Sequence, residues 1–282
     1  MRVHILGSAG GNVTPRPLCT CRICREARQK GPPYSRWGPA LFVEGPDILF
    51  DTPEEISLEL ARADIRRVGA VIYSHWHPDH SLGMRVFEQM NVNWRAARSN
   101  RAMRTTPVYL PERVRRNFEA CGLMRFLSYY ESMGLARLHI LGDESTVEIG
   151  SVEVRVFPLA APALCGYELS ERGKRLVLAI DDTKSWMPGP ELAGADLAVI
   201  ECGWFEFDTG GNRIMHPDAA AREQEAPVEE TLEKVRALGA KRAILTHIEN
   251  AGARSYDDYL ALENEHKKLR ITFAYDGLVT GV

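Results

Sequence analysis

The sequence predicts an α/β layered fold. Short apolar runs of strand length alternate with segments of helical pattern, and short connections join them, as in layered α/β proteins. Of the 282 residues, 45% are hydrophobic and 26% are charged, which supplies a large core and excludes a globally disordered chain. The apolar runs fall well short of the ~20 residues that a membrane-spanning helix needs.

Each predicted element follows from its residue pattern. Segment 145–159 alternates apolar and polar residues around Gly150, which is typical of a hairpin. Pro53 suits the first turn of a helix. The predicted strands are 2–7, 40–43, 48–50, 68–74, 195–200, 242–246 and 271–275, with a second hairpin that pairs 165–170 with 174–180. The predicted helices are 53–63, 112–134, 227–239 and 256–268.

The charge balance and the absence of an evident linker limit the class of protein and the number of domains that we expect. With 35 Lys and Arg against 38 Asp and Glu, the net charge is −3, which disfavours a strongly basic nucleic-acid binder. The amino-terminal residues run directly into the strand 2–7 without the layout of a signal peptide. We therefore expect one domain over 1–282 that is soluble and cytoplasmic, with a homodimer as one option for its assembly.

The strongest functional signal is a histidine-rich turn after the strand 68–74. His75, His77, Asp79 and His80 fall within six residues, and these donors suit zinc, manganese or iron. A pair of histidines two residues apart can point both rings to one side. The following turn brings Asp79 and His80 towards a neighbouring position, as a two-metal hydrolytic site requires. A surface loop would rarely crowd so many ligands behind an apolar strand.

This H-x-H-x-D-H segment resembles the signature of the metallo-β-lactamase superfamily and matches it at every position. The resemblance implies an αββα four-layer sandwich of the α/β class. It also implies a metal-bridging aspartate after the strand that ends near residue 180, for which we choose Asp182, with Asp181 as its rival. A last ligand is implied at His247. The implied ligands are His75, His77, Asp79, His80, Asp182 and His247.

Three cysteines form a second candidate metal site. Cys19, Cys21 and Cys24 are too close to pair with one another without strain, but they can surround one tetrahedral ion. Together with the glycine-rich turn 7–11 and the ending 274–278, they resemble the cysteine cluster of PhnP-like phosphodiesterases and of PqqB. That resemblance implies a structural zinc ion. Its fourth ligand in those proteins is a histidine, and Asn250 stands there in this chain, so that water, Glu249 or another residue would complete the site.

The resemblance also breaks at the first metal position. Where the family has a third histidine ligand, the alignment places Ala161, which cannot bind a metal. Cys165 or Cys202 could supply a thiolate instead, although a small buried thiol in the core is the commoner situation. A centre reduced to two histidines and one carboxylate can still hold a metal ion.

Two further features concern catalysis and substrate binding. PhnP-like proteins carry an extra histidine before the helix 227–239, and this chain has none there. His216 could reach the site if its loop folds back, and the competing interpretation is an exposed loop histidine. Four arginines could bind a substrate phosphate, although a solvated surface is the preferred interpretation. These are Arg95, Arg98, Arg101 and Arg104.

The resemblance implies a metal-dependent hydrolase, with hydrolysis of a small phosphodiester as the favoured activity and a cyclic ester as one option for the substrate. Asp79 and His216 are the candidate catalytic residues. The expected cofactors are a structural Zn²⁺ at the cysteines and one or two Zn²⁺, Mn²⁺ or Fe²⁺ ions at the histidines. The expected partner is the small-molecule substrate, rather than a membrane or a nucleic acid. A single-metal, PqqB-like redox enzyme and a degenerate binding scaffold are the alternatives.

Overall fold

The computed structural model describes residues 1–92 and 104–282. Its strands are β1 (Arg2–Gly7), β2 (Ala40–Glu44), β3 (Ile48–Phe50), β4 (Ala70–Ile72), β5 (Thr106–Pro111), β6 (Ala136–Leu141), β7 (Thr146–Ile149), β8 (Val152–Pro158), β9 (Cys165–Glu171), β10 (Lys174–Ala179), β11 (Leu197–Glu201), β12 (Ala243–Thr246), β13 (Ile271–Phe273) and β14 (Val279–Gly281). Its helices are α1 (Arg22–Lys30), α2 (Ile56–Arg62), α3 (Pro78–Ser81), α4 (Val86–Asn91), α5 (Glu112–Ala120), α6 (Met124–Ser132), α7 (Ala221–Gln224), α8 (Val228–Leu238) and α9 (Tyr256–Glu265). Over these described ranges, no helix has the length and apolar character to cross a membrane.

The strands form two mixed sheets of seven strands each. The first has the order β14-β1-β2-β3-β4-β5-β6, and the second has the order β13-β12-β11-β10-β9-β8-β7. Neighbouring strands are parallel from β3 to β6 and from β10 to β13. Because parallel strands end at the same edge of a sheet, the loops after β3 and β4 lie together, as do the loops after β10, β11 and β12.

Alternate side chains of the second sheet enter two different cores. Leu176 and Leu178 of β10 belong to the core between the sheets, which they share with residues such as Leu49 of β3. Val177 and Ala179 face the other way and pack in a cluster that includes side chains from α8 and α9. Both faces of the strand are therefore buried, which explains why its sequence is a continuous apolar run.

Helices cover the outer face of each sheet. On the first sheet α2 contacts β1, α5 contacts β5, and α6 contacts β6. On the second sheet α8 contacts β11 and α9 contacts β13. The layers are thus helix, sheet, sheet and helix, and the predicted αββα sandwich is confirmed.

The differences from the predicted elements have physical reasons. Strands β5 and β6 were not predicted, because β5 contains two prolines and β6 is an edge strand with partly exposed side chains. The predicted helix 112–134 is divided into α5 and α6 at Gly122, which has a φ of +79°. Most of segment 91–105, which the sequence predicts to be irregular, lies outside the described residues.

A buried tyrosine joins the two sheets next to the histidine-rich turn. The hydroxyl of Tyr167, on β9, donates a hydrogen bond to the carbonyl of Tyr73 at 2.6 Å. Tyr73 directly follows β4 in the other sheet and precedes Ser74, where the turn begins. The Tyr167 ring also packs on Phe50, with 5.3 Å between ring centroids. This contact therefore fixes the start of the turn relative to the second sheet.

We expect Tyr167→Phe to lower the free energy of unfolding by about 1–3 kcal/mol, because the buried Tyr73 carbonyl loses its side-chain donor. Denaturant unfolding monitored by circular dichroism measures this change. The control is Tyr129→Phe, because the Tyr129 side chain is exposed. Equal effects of the two substitutions would contradict the importance of this contact.

Candidate metal centre

The histidine-rich turn is short and largely buried. It follows β4, and Pro78 occupies the first position of α3, where its fixed φ and missing N–H suit a helix start. His75 and His80 are fully buried, whereas His77 is partly exposed. The hydroxyl of Ser81 donates to the carbonyls of Trp76 and His77, each at 2.9 Å. These bonds close the turn and hold the three rings on one side.

A buried aspartate that the sequence analysis did not identify orients two of these rings. Asp51 follows β3 and accepts hydrogen bonds from the backbone N–H and the hydroxyl of Ser74, at 2.7 and 2.6 Å. Its Oδ2 lies 2.8 Å from Nδ1 of His80, and the Ser74 hydroxyl lies 2.9 Å from Nδ1 of His75. In both histidines, Nδ1 therefore makes a hydrogen bond and Nε2 points into the site. Residues that hydrogen-bond to metal-ligating histidines commonly orient the rings in this way.

The rings converge on one carboxylate, that of Asp181. Its Oδ2 lies 3.0 Å from Nε2 of His75 and 3.3 Å from Nε2 of His80. Its Oδ1 lies 3.3 Å from Nε2 of His247. Asp181 stands at the end of β10 in the second sheet, so this carboxylate links ligands from both sheets.

The sequence analysis chose Asp182 for the bridging place, with Asp181 as its rival, and the geometry favours Asp181, whose two oxygens face histidines of both groups. Asp182 has a left-handed backbone with a φ of +45°, and its Oδ2 lies 3.8 Å from Nδ1 of His77. Its N–H donates to Oδ1 of Asp181 at 2.8 Å. Consecutive side chains at a strand end point in different directions, and the sequence offered two adjacent carboxylates. Asp182 stays a candidate ligand beside His77.

The ligand atoms form two adjoining groups, one of His75, His77, Asp181 and Asp182, and one of Asp79, His80 and His247. Within each group the candidate atoms lie within 4.8 Å of one another. Nε2 of His75, of His80 and of His247 is buried without a hydrogen-bond partner. Buried polar atoms normally have partners, so three such nitrogens aimed at one carboxylate fit the binding of divalent cations. Nitrogen and carboxylate ligands suit zinc, manganese or iron.

Burial and neighbouring charges give the members of the cluster very different pKa values. Burial lowers the pKa of His75 to about 4, and the neighbouring His80 adds to this effect. Burial also disfavours the charged form of His80, but the carboxylates of Asp51 and Asp181 outweigh it and raise the pKa of His80 to about 10. Despite its burial, Asp181 has a pKa well below the usual range, because His247 and the other imidazoles surround it. Near neutral pH, cation binding must therefore displace a proton from His80, whereas His75 is already neutral.

A second buried network holds the loop that carries the two aspartates. Glu201, at the end of β11, accepts hydrogen bonds through Oε2 from the N–H and the hydroxyl of Thr183, at 2.7 and 2.8 Å. The ammonium of Lys234, on α8, donates to the same hydroxyl at 3.0 Å and pairs with Glu230 at 2.7 Å. The sequence analysis missed these residues, because their partners are distant in the chain.

The last predicted ligand, His247, is held against the glycine-rich turn. His247 has a left-handed backbone with a φ of +57°, and its Nε2 lies 3.5 Å from Asp79. A Cβ on Gly10 would lie 2.3 Å from Oε1 of Glu249 and 3.0 Å from Nδ1 of His247. The N–H of Gly11 donates to the same Glu249 oxygen at 2.8 Å. Glycine at position 10 thus allows this turn to approach the metal centre.

Ala161 stands where the resemblance implies a third histidine ligand, and this position opens onto solvent. Ala161 lines a cleft of about 510 Å³ together with His77, Asp182 and Lys184. Neither alternative thiol is a member of the ligand groups: Cys165 lies in the core between the sheets and Cys202 in the core beside α8 and α9. Burial raises the pKa of each of these two thiols to about 12. Both cysteines are therefore buried core residues, which is the commoner of the two situations considered for them.

The structure does not bring His216 to the metal centre. Its side chain is 76% exposed, and Nδ1 lies near the N–H and the carboxylate of Asp218, at 3.2 and 3.6 Å. Its predicted role as a catalytic proton donor therefore lacks support in this arrangement. Arg104 lies near the amino ends of β4 and β5, away from the histidine turn at the carboxyl end of β4. Arg95, Arg98 and Arg101 lie outside the described residues.

The three cysteines come together at the start of α1. The sulfur atoms of Cys19, Cys21 and Cys24 lie within 4.8 Å of one another, and Cys21 is the N-cap of the helix. Nδ2 of Asn250 lies 3.7 Å from Sγ of Cys24 and 3.2 Å from the hydroxyl of Thr14. The amide of Asn250 thus lies beside Cys24, at the edge of the cluster. Glu249 is engaged elsewhere, at the glycine-rich turn.

We expect Asp181→Ala to reduce metal binding at both ligand groups, because its two oxygens face both. Asp182→Ala should affect only the group that contains His77. Elemental analysis and calorimetric titration with Zn²⁺ measure stoichiometry and affinity for the two variants. Loss of all histidine-bound metal in Asp182→Ala, with normal binding in Asp181→Ala, would reverse this assignment.

We expect Cys24→Ser to remove one zinc ion per chain and to destabilise the segment around α1, since metal binding and folding are coupled. Asn250→His should bind this ion more tightly, because imidazole is a better zinc ligand than an amide. Competition with a chromogenic chelator measures both effects. Cys121→Ser is the control, because Cys121 is exposed and outside the cluster. An Asn250→His variant with unchanged affinity would show that position 250 does not face the ion.

Comparisons with known proteins agree with this architecture. A family model described as the beta-lactamase superfamily domain matches residues 45–248. A diphosphatase from the PhnP family is 19% identical, with a TM-score of 0.71 over 100% of this chain and 97% of that one. Zinc-bound PqqB from Methylobacterium extorquens is 18% identical, with a TM-score of 0.72 over 100% of both chains. The metallo-beta-lactamase fold protein YhfI from Bacillus subtilis is 15% identical, with a TM-score of 0.65 over 99% of both.

No curated protein matches the sequence significantly. At identities below 20%, the likeness to the solved structures concerns the fold. The family model spans most of the chain and includes the histidine-rich turn, the two aspartates and His247. The chain therefore belongs to the metallo-β-lactamase superfamily.

Proposed function

We propose that this protein is a metal-dependent hydrolase that cleaves small phosphodiesters. The observation that carries the proposal is the position of Asp181, whose two oxygens face histidines from both ligand groups at 3.0–3.3 Å. A carboxylate so placed suits two cations side by side, which is the arrangement that phosphoester hydrolysis uses.

The ligands named above would hold the ions, and bound divalent ions would activate water and stabilise charge on the phosphoryl oxygens. Asp79 remains ionised, because its pKa is held low by His247 and His80 in spite of its burial. Its carboxylate lies 3.5 Å from both rings, so this candidate catalytic residue stands inside the second ligand group. Lys184 lines the cleft beside His77 and Asp182. Its ammonium contacts Glu230 at 3.9 Å and the Arg222 carbonyl at 3.2 Å, and a third N–H can donate to a phosphate oxygen.

The solved structures with this fold support the choice of substrate class. One of them is described as a diphosphatase from the PhnP family. Phosphorus–oxygen bond cleavage is thus an activity of a protein with this architecture. The cysteine cluster, which resembles the one in PhnP-like proteins, agrees with the same choice.

A single-metal, PqqB-like enzyme that does not hydrolyse esters is the second candidate. The observation that favours it is Ala161, which lines the cleft beside His77 without offering a ligand atom. The ion of that group would then have fewer ligands and more open positions, an arrangement that suits redox chemistry on an iron centre.

The deciding experiment compares metal content and hydrolysis in the same preparations. Protein purified without added metal or chelator is analysed for zinc, manganese and iron, and is then assayed with linear and cyclic phosphodiesters. Loss of an outer partner alone lowers metal affinity or activity by about 10–100-fold. We therefore expect His80→Ala, which removes a direct ligand, to lower kcat/KM by more than that and to release metal.

Cys21→Ala and His266→Ala are the comparison variants. Cys21→Ala should lose one zinc ion, while His266 belongs to neither ligand group and its replacement should leave metal content and rate unchanged. Chelation should abolish hydrolysis, and added Zn²⁺ or Mn²⁺ should restore it. One iron ion per chain with oxygen consumption and no phosphodiester hydrolysis would reject this proposal in favour of the second candidate.

A further inference from the structure

A separate apolar cavity adjoins the metal centre on the side of His247. It measures about 190 Å³ and lies between the loops after β11 and β12 and the segment 214–225. Its apolar walls include Trp204, Phe205, Ile214, Met215 and Tyr259. His247 belongs to the wall, and its Nε2 also contacts Asp79 and Asp181. A group held in this cavity would therefore lie next to the ligand cluster.

Apart from His247, the charged side chains that line the cavity are acidic. The carboxylates Glu201, Glu225 and Glu249 line it, and no lysine or arginine does so among the described residues. Glu201 accepts hydrogen bonds from Thr183, and Glu249 accepts one from Gly11. The half-buried carboxylate of Glu225 has neither a hydrogen bond nor an ion pair within the described part of the chain. Three guanidinium groups stack on its aromatic walls but are not among the lining residues: Arg222 on Trp204, Arg254 on Phe205 and Arg36 on Tyr259. The carboxylates therefore face an occupant directly, which disfavours an anion and allows Glu225 to attract a cation.

The open cleft on the other side of the cluster has a different character. It is lined by His77, by Lys184 and by the three carboxylates of Asp182, Glu223 and Glu225. The Lys184 ammonium also lies 3.9 Å from Glu230 and donates to the carbonyl of Arg222 at 3.2 Å. Glu225 lines both spaces and marks the place where they meet. The two sides of the metal centre therefore differ in polarity, because charged groups line much of the open cleft and apolar side chains line most of the cavity near His247.

We infer that the apolar cavity binds one ester group of the substrate, and that this group is compact, apolar and either uncharged or cationic. This inference rests on the proposed phosphodiester hydrolysis, since it orients a diester whose phosphate lies at the metal centre. Complete small-molecule pockets usually measure about 300–1,000 Å³, so a smaller cavity holds only part of a ligand, such as one ring. The carboxylate of Glu225 favours a substituted ammonium group above a neutral one.

The test measures binding of single-ring probes without relying on catalysis. Benzylammonium, benzyl alcohol and benzenesulfonate represent a cationic, a neutral and an anionic occupant. The protein as purified, and again after zinc loading, carries ¹³C-methyl methionine, and the Met215 signal is assigned with Met215→Leu. Burial and the charges of Asp181 and Asp182 raise the pKa of Glu225 to about 7, so titrations at pH 8 keep this carboxylate largely ionised.

We expect benzylammonium and benzyl alcohol to shift the Met215 methyl signal with saturation, the cation binding about fivefold more tightly. Benzenesulfonate should produce no saturable shift. Glu225→Gln should remove the preference for the cation and leave benzyl alcohol binding unchanged. Glu223→Gln is the matched control, because Glu223 lines the open cleft and not the apolar cavity. Ala251 lines the cavity and is itself exposed. Ala251→Phe should therefore fill the cavity and weaken the binding of benzylammonium and of benzyl alcohol about tenfold.

Saturable binding of benzenesulfonate at Met215, no shift of Met215 with any probe, or full binding by a folded Ala251→Phe variant would each overturn the inference. The result of the probe-binding test can be distinguished from the result of the hydrolysis test of the proposed function. Hydrolysis of phosphodiesters without probe binding rejects only the assignment of the cavity. Ordered probe binding without hydrolysis of any phosphodiester rejects the proposed reaction while the binding preference of the cavity stands.

Discussion

The Asp181 carboxylate is the point on which the centre of this protein depends. It is fully enclosed by imidazoles from the first sheet, His75 and His80, and by His247 from the second. Bringing four ionisable side chains out of water is costly unless they are mutually paired or bind cations. The αββα sandwich supplies that enclosure, because the carboxyl edges of both sheets meet where these loops emerge.

Outer partners determine where the ligands point. Asp51 binds the Ser74 backbone, the Ser74 hydroxyl and the His80 ring, so one carboxylate orients two histidines at once. On the opposite sheet, Glu201 fixes Thr183, next to the two aspartates. Three residues at the centre, Asp51, Asp182 and His247, have left-handed backbone conformations. Such conformations in non-glycine residues concentrate at functional sites and persist only when the surrounding structure holds them.

The space around the centre is asymmetric in polarity. One side is an open cleft with Lys184 and a position, Ala161, that offers no ligand atom. The other is a small apolar cavity whose charged liners are acidic apart from His247. Substrate choice within one superfamily rests on such surroundings more than on the shared ligand cluster, since one fold hosts many chemistries. The cysteine cluster lies close to this region, because Asn250 follows His247 by three residues.

The sequence by itself determined the fold class, most of the strands and the main ligand types. Apolar periodicity is a local property, and the histidine-rich turn brings its ligands together within six residues. Only the tertiary structure decided between Asp181 and Asp182, because that choice depends on the direction of each side chain at a strand end. It also identified Asp51, Glu201 and Glu225, and it placed His216 in solvent. These roles arise from contacts between residues far apart in the chain, for which local patterns carry no signal.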